Sequence, residues 1–153
     1  MSNLELKVPP DLVWVLVAAL MWLASVKTPR LALPSLLRVA VAVALTILGA
    51  WVIIAARISL ERAQTTWRPM TPRQTTSLVT SGVYGISRNP IYLGMLLVML
   101  GLAVALASPA AAILSAVFVL YLNRFQIGPE ERALAAILGQ EYVDYAKRVR
   151  RWI

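Results

Sequence analysis

Four apolar runs, parted by short polar breaks and one long one, set the pattern of this chain. Leu12 to Val26 carries no charge for 15 residues, and Val39 to Ala56 carries none for 18. The first is slightly short for a bilayer crossing and borrows from its flanks, while the second is long enough to span. Lys27-Thr28-Pro29-Arg30 separates them. A third stretch, Ile91 to Leu122, is 32 residues long, too much for one crossing, and Ser108-Pro109 interrupts it. Proline cannot donate to the preceding turn, so the stretch divides into a helical hairpin. The pattern predicts membrane helices over 12–26, 36–57, 90–107 and 109–125.

Between the second and third runs lies a polar loop, 58–89, with Trp67, Pro69 and Pro72. A loop of that length in a small protein is usually functional. After the hairpin comes a tail, 126–153, in which Leu134, Ile137 and Leu138 recur at helical spacing and Gly139 reads as a stop. Tyr142 and Tyr145, three apart, share one helical face. Lys147, Arg148, Arg150 and Arg151 beside Trp152 read as a helix end at the membrane surface. The fold class is therefore all-α: one integral membrane domain, 1–153, of about four transmembrane helices, the last two a Pro-broken hairpin, with a C-terminal amphipathic helical tail.

Composition agrees. A 59% hydrophobic share with 14% charged residues is too apolar for a soluble domain, where about 25% are charged. The chain has no Cys, hence no disulfides, and no His. That removes the commonest general base and metal ligand, so no metal site is expected. The net charge of +8 comes from residues flanking apolar spans, which points to membrane lipids and not to nucleic acid as the partner. Head, loop and tail hold twelve basic residues, against three in the first connection. By the positive-inside rule both termini are cytoplasmic, in what reads as a bacterial inner membrane. Met1 to Asp11 lacks the pattern of a removable signal, so the first span is expected to be kept.

Candidate chemistry concentrates between Thr76 and Gly94. Pro90 suits the first turn of a helix, and Asn89 before it is biased away from helical geometry and can cap. The unpaired N–H groups of such a helix start, with Arg88 beside them, favour carboxylate, hydroxyl or ribose oxygens. An ordinary capped helix start with an interfacial arginine is the alternative. Glu130-Glu131 leave the other leg of the hairpin at the same membrane face. They are either a solvated helix start or carry one glutamate turned to a pocket under the loop.

The segments Leu78-Val79-Thr80-Ser81-Gly82-Val83-Tyr84, Arg88-Asn89-Pro90-Ile91-Tyr92-Leu93-Gly94, and Glu130-Glu131 followed by Leu134, Gly139, Glu141-Tyr142, Tyr145 and Arg148-Val149 resemble the isoprenylcysteine carboxyl methyltransferases and their phospholipid methyltransferase relatives. The resemblance covers roughly the second half of the chain. It implies an integral membrane methyltransferase that uses S-adenosylmethionine, held at the cytosolic face by Thr76, Ser77, Leu78, Val79, Tyr84, Arg88, Asn89, Pro90, Ile91, Tyr92 and Glu131. Glu130 matches the family's functional glutamate. Two departures stand out. Asn89 replaces the histidine of eukaryotic members, and an amide cannot take up a proton near neutral pH. The arginine that meets the substrate carboxylate in that family falls on Gln126, and Arg124, two residues earlier, is the nearest arginine, so it joins Glu130 as the catalytic candidate.

Methyl transfer from a sulfonium is a one-step displacement that needs positioning and water exclusion and no metal. Tyr92 or Tyr84 can favour the cation, and a carboxylate can orient or deprotonate the acceptor. The expected acceptor is small or lipophilic, reaching the site from the bilayer: a thiol, amine, carboxylate or phospholipid headgroup. Two alternatives stand beside this reading: an NADPH-dependent membrane reductase of the sterol reductase type, whose members are much longer, and a non-catalytic small membrane protein or transporter. A transporter would place ionisable residues inside its spans, and the interiors of these spans carry none, with the glutamates at the interface.

Overall fold

The computed structural model describes residues 5–65 and 77–153. Among them the secondary structure is entirely helical. Helix α1 (Pro10–Lys27) starts with proline at its first position, where a missing N–H costs nothing. Helix α2 (Ser35–Arg62) is 28 residues long, about 42 Å at the usual rise and so longer than a bilayer core of roughly 30 Å. Its last turns, from Arg57 on, therefore project past the apolar zone. The predicted end at residue 57 falls short because Ile58 to Arg62 continue the helix, its carbonyls taking local donors such as the N–H of Ala63.

Helix α3 (Pro90–Leu106) packs on α2 more extensively than any other pair of helices in contact. Small residues make this possible. A Cβ added to Gly49 would lie 2.6 Å from the Gly94 carbonyl, and one added to Gly94 would lie 2.6 Å from that of Gly49. At Gly101 it would meet Thr46 Oγ1 at 2.7 Å. Gly94 and Gly101 thus serve backbone approach, as small residues do between membrane helices.

The hairpin turn is where Ser108-Pro109 placed it. Ala107 takes left-handed geometry, and the Ser108 hydroxyl accepts the Ala111 N–H at 3.3 Å, capping α4 (Pro109–Leu122). The Leu31 N–H donates to the Ala107 carbonyl at 2.8 Å, tying the α1–α2 connection to this turn. Helix α4 packs against α1 as well as α3, and Met21, Met95, Met99, Phe118 and Leu122 meet in the core. Leu16, Trp22, Leu36, Trp51, Ile113 and Leu120 are exposed on the outer faces, as suits contact with lipid. Among the described residues three helical stretches, α1, α2 and the one that begins with α4 and continues past its end, are long and apolar enough to cross a membrane, and α3, at 17 residues, is a shorter apolar one. The protein is an all-helical integral membrane protein.

A second boundary also differs from the sequence expectation. The tail does not separate after residue 125: α4 runs through a single π turn, Asn123–Ile127, straight into α5 (Gly128–Leu138). Pro129 explains the turn, because its missing N–H cannot bond the Phe125 carbonyl four residues back. The Gly128 N–H reaches Asn123 instead, and the Leu6 N–H takes the freed Phe125 carbonyl at 3.1 Å. Gly139, at φ +59°, ends α5 as predicted, and α6 (Gln140–Arg148) follows.

Candidate functional site

A pocket opens at the end of the bundle where α1 and α3 begin and α2 and α4 end. It encloses about 900 Å³, counting its open mouth. Ser77, Leu78, Val79, Tyr84, Arg88, Asn89, Pro90, Ile91, Tyr92 and Glu130 all line it, so the loop, the start of α3 and one glutamate of α5 do converge. Thr76 lies outside the described residues, as do Trp67, Pro69 and Pro72.

Glu130 and Glu131 part ways at once. Tyr92 donates its hydroxyl to Glu130 Oε2 at 3.3 Å inside the pocket. The residue is half-buried by surface, but protein encloses the carboxyl group, and that burial pushes it up to about 7. The Tyr92 hydrogen bond opposes the rise, and the neighbouring Glu131 charge adds to it. Burial likewise raises the phenols of Tyr84 and Tyr142, and pushes Tyr145 up to about 12 against the pull of Arg88. These tyrosines stay protonated near neutral pH. Glu130 is the pocket carboxyl suited to exchange a proton there.

Glu131 does not line the pocket. It takes Arg88 at 3.0 Å and Arg151 at 2.6 Å. Around this cluster the C-terminal residues fasten the loop: the Arg88 N–H donates to the Arg150 carbonyl at 3.0 Å, Ser87 and Asn89 side chains donate to the Arg151 carbonyl, and the Tyr145 hydroxyl donates to the Tyr84 carbonyl at 2.7 Å. Asn89 does occupy the cap position of α3, but its amide serves Arg151 and makes no side-chain cap. The basic terminus is thus partly an internal clamp: Arg151 holds Glu131, and the Trp152 indole donates to Asn123 Oδ1 at 3.2 Å.

Arg124 departs from the sequence expectation. It lies outside the pocket lining and pairs with Glu5 at 2.9 Å, as does Arg132. Gln126, at the position of the family's arginine, is fully buried and donates to the Val8 carbonyl at 2.6 Å. In return the pocket gains Pro10 and Asp11 from α1 and Arg57 and Leu60 from α2. Sequence reasoning gave neither Arg57 nor Asp11 a role in the site. A hint was available: charged residues that begin or end an apolar run at the face carrying the motif are the ones packing can bring to it.

A helical membrane bundle with a partly polar pocket at its end is the class that fold and site define. The chain matches the model of the phospholipid methyltransferase family over residues 37–141, and it belongs to that family. It is 44% identical over 72 residues to protein-S-isoprenylcysteine O-methyltransferase B of Arabidopsis thaliana, covering 47% of this chain and 36% of that protein. With the mouse protein-S-isoprenylcysteine O-methyltransferase it shares 40% over 75 residues, 49% of this chain and 26% of the relative. An uncharacterized protein of Haemophilus influenzae is 38% identical over 63 residues, 41% of this chain and 100% of its own length. The aligned region spans only about a third of the plant relative and a quarter of the mouse one. No solved structure matches.

Proposed function

We propose that this protein transfers a methyl group from S-adenosylmethionine to a small or lipophilic acceptor at the cytosolic face of the membrane. The observation that carries the proposal is the convergence, in one pocket, of the Arg88-to-Tyr92 helix start with Glu130. The residues fit the cofactor's chemistry. Leu78, Val79, Ile91 and Leu134 offer apolar walls for a base, the first turn of α3 offers N–H groups for its oxygens, and the rings of Tyr84 and Tyr92 suit a cation. The chemistry it would supply is a methyl group on a positively charged sulfur. Ser77 to Val79, Tyr84 and the residues from Arg88 to Tyr92 bind it in this reading, with Arg88 held in place by Glu131.

The protein's own contribution is to orient the acceptor, exclude water and accept a proton at Glu130 Oε2, within reach of the Tyr92 hydroxyl. Glu131 holds the loop and does not touch reacting atoms. Both ends of the described chain lie at the pocket end of the bundle, and the excess of basic residues there makes that end cytoplasmic in a bacterial inner membrane. Calorimetry in detergent should register S-adenosylmethionine or S-adenosylhomocysteine binding to folded protein. Labelled methyl groups should then pass to at least one member of a panel of lipophilic amines, thiols, carboxylates and phospholipids. No heat of binding up to millimolar cofactor would defeat the proposal.

A further inference from the structure

A second cavity opens on the side of the bundle, in the half of the membrane away from the pocket. Trp14 and Ala18 of α1, Ala42 and Ile47 of α2, and Met99 and Ala105 of α3 line it, and it holds about 830 Å³, counting its open mouth. Helices α1 and α2 follow one another in the chain but make little direct contact, so α3 forms the floor of a groove between them. Because α1 and α3 run away from the pocket and α2 runs toward it, these positions place the groove beyond the pocket's inner end, toward the Ser108-Pro109 turn. Trp14 divides the two spaces: its indole donates to the carbonyl of Met95, a pocket residue, at 3.0 Å.

The groove has little to offer water. The Trp14 N–H is taken by Met95, and the hydroxyl of Thr46, on the groove wall, donates to the Ala42 carbonyl at 2.8 Å. A water there would lack the several polar partners it needs. Left empty, the walls would forfeit dispersion contacts. A hydrocarbon chain meets both conditions, and the bilayer supplies one, since Val43 and Ile47 on the groove wall are themselves exposed on the outer face.

The means of selecting a lipid stands one turn further out. Arg38 precedes Ala42 by four residues on α2 and therefore lies on the same face, nearer the membrane surface. Its side chain is half-buried, and its enclosed Nε meets no acceptor among the described residues. No acid competes for it. All seven acidic residues lie at or before the start of α1, at the end of α2, or on α5 and α6, at the pocket end, whereas Lys27 and Arg30 share the far end with Arg38. An enclosed guanidinium edge calls for a charged acceptor, and phosphate oxygens match its fork.

We propose that the groove and Arg38 form a binding site for one anionic glycerophospholipid of the leaflet opposite the pocket, with an acyl chain between α1 and α2 and the headgroup phosphate on the Arg38 guanidinium. The charges of Lys27 and Arg30 at that surface favour a net negative headgroup over one that carries its own ammonium. The lipid is a structural ligand, filling the space between α1 and α2. It is distinct from any acceptor in the pocket, because Trp14 separates the two spaces, and its binding is independent of the chemistry there.

Native mass spectrometry of the full chain, equilibrated in detergent with dioleoylphosphatidylglycerol or dioleoylphosphatidylcholine, tests the site. One phosphatidylglycerol should bind about tenfold more tightly than phosphatidylcholine, the worth of one favourable charge contact. Arg38→Gln should remove that preference. Lys27→Gln lowers the charge of the same surface outside the groove and should change the preference less than about twofold. Ala18→Phe and Ala105→Phe fill the groove from opposite walls, and each should weaken both lipids by about tenfold, the worth of roughly two buried methylenes. Ala105 is exposed, so a larger side chain there leaves the helix packing intact. Inorganic phosphate should not displace the lipid. Equal binding of the two lipids by the parent, a preference kept in Arg38→Gln or lost as fully in Lys27→Gln, displacement by phosphate alone, or undiminished binding in both groove variants overturns the proposal.

Discussion

The two ends of the chain are fastened to the same end of the bundle by different means. The C-terminal residues hold the loop through Glu131, which is bonded by Arg88 and Arg151, with side chains only 15%, 39% and, for Glu131 itself, 18% exposed. The N-terminal residues hold α1 through Glu5, whose partners Arg124 and Arg132 are 58% and 60% exposed. Both glutamates are enclosed, Glu5 at 5% exposure and Glu131 at 18%; the contrast lies in their arginines, which water screens strongly at the N-terminal end and less at the C-terminal one. The expected division of labour follows. The C-terminal clamp sets the shape of the loop that lines the pocket, while the N-terminal fastening sets how firmly α1 closes it.

The largest effect should come from the residue that belongs to neither fastening. Glu130→Gln should lower turnover by roughly 10² to 10⁴, the range for a positioned acid or base, with cofactor affinity little changed. Its pH profile sharpens the point. A carboxyl pushed up to about 7 is protonated below that pH and a carboxylate above it, so turnover should rise with pH through about 7 and then level. Glu130→Gln should lose that limb, and a parent profile flat from pH 6 to 8, on the order of a unit either side of the transition, would count against Glu130 as the base.

Breaking the C-terminal clamp comes next. Glu131→Gln leaves Arg88 and Arg151 without their carboxylate and should cost roughly 1 to 3 kcal/mol of stability, with a similar loss of cofactor affinity and a smaller effect on turnover at saturation. Thermal unfolding beside calorimetry would read both. Tyr145→Phe removes one hydrogen bond to the Tyr84 carbonyl and should cost about 1 kcal/mol, leaving an otherwise intact pocket. The smallest effect is expected for Glu5→Gln, about 1 kcal/mol and shrinking as salt rises, because both arginines it holds are mostly exposed and the amide fills the same enclosed space. If Glu5→Gln destabilised the protein more than Glu131→Gln, the contrast between the two ends would be reversed.

How much of this was legible in the sequence depends on how local its cause is. Pro90, Ser108-Pro109 and Gly139 mark helix boundaries by their own backbone preferences, and all appear where they were expected. The loop and α3 residues of the site were legible because they are nearly contiguous. Glu131 was assigned to the cofactor because adjacency on a helix does not say which of two neighbours faces inward; consecutive residues on a helix point about 100° apart. Arg124 misled for a different reason. Its partner Glu5 is 119 residues away, and no local pattern carries that pairing. Asp11 and Arg57 were invisible as site residues because their membership comes from helix packing alone.

Pro129 has a consequence for the order in which the protein assembles. The carbonyl it leaves open at Phe125 is closed by an N–H made 119 residues earlier on the chain, at Leu6. During synthesis the first helix must therefore enter the membrane with its leading segment unattached, and that segment gains its anchor only after the hairpin and the turn beyond it have emerged. We predict that a chain stopped at residue 122 inserts α1 and α2 but leaves residues 5–8 open to protease, whereas the full chain protects them; protection in the shortened chain would refute this order. The wall that α1 gives the pocket is in that sense the last part to be fastened, so an unfinished copy cannot offer a complete pocket to the membrane around it.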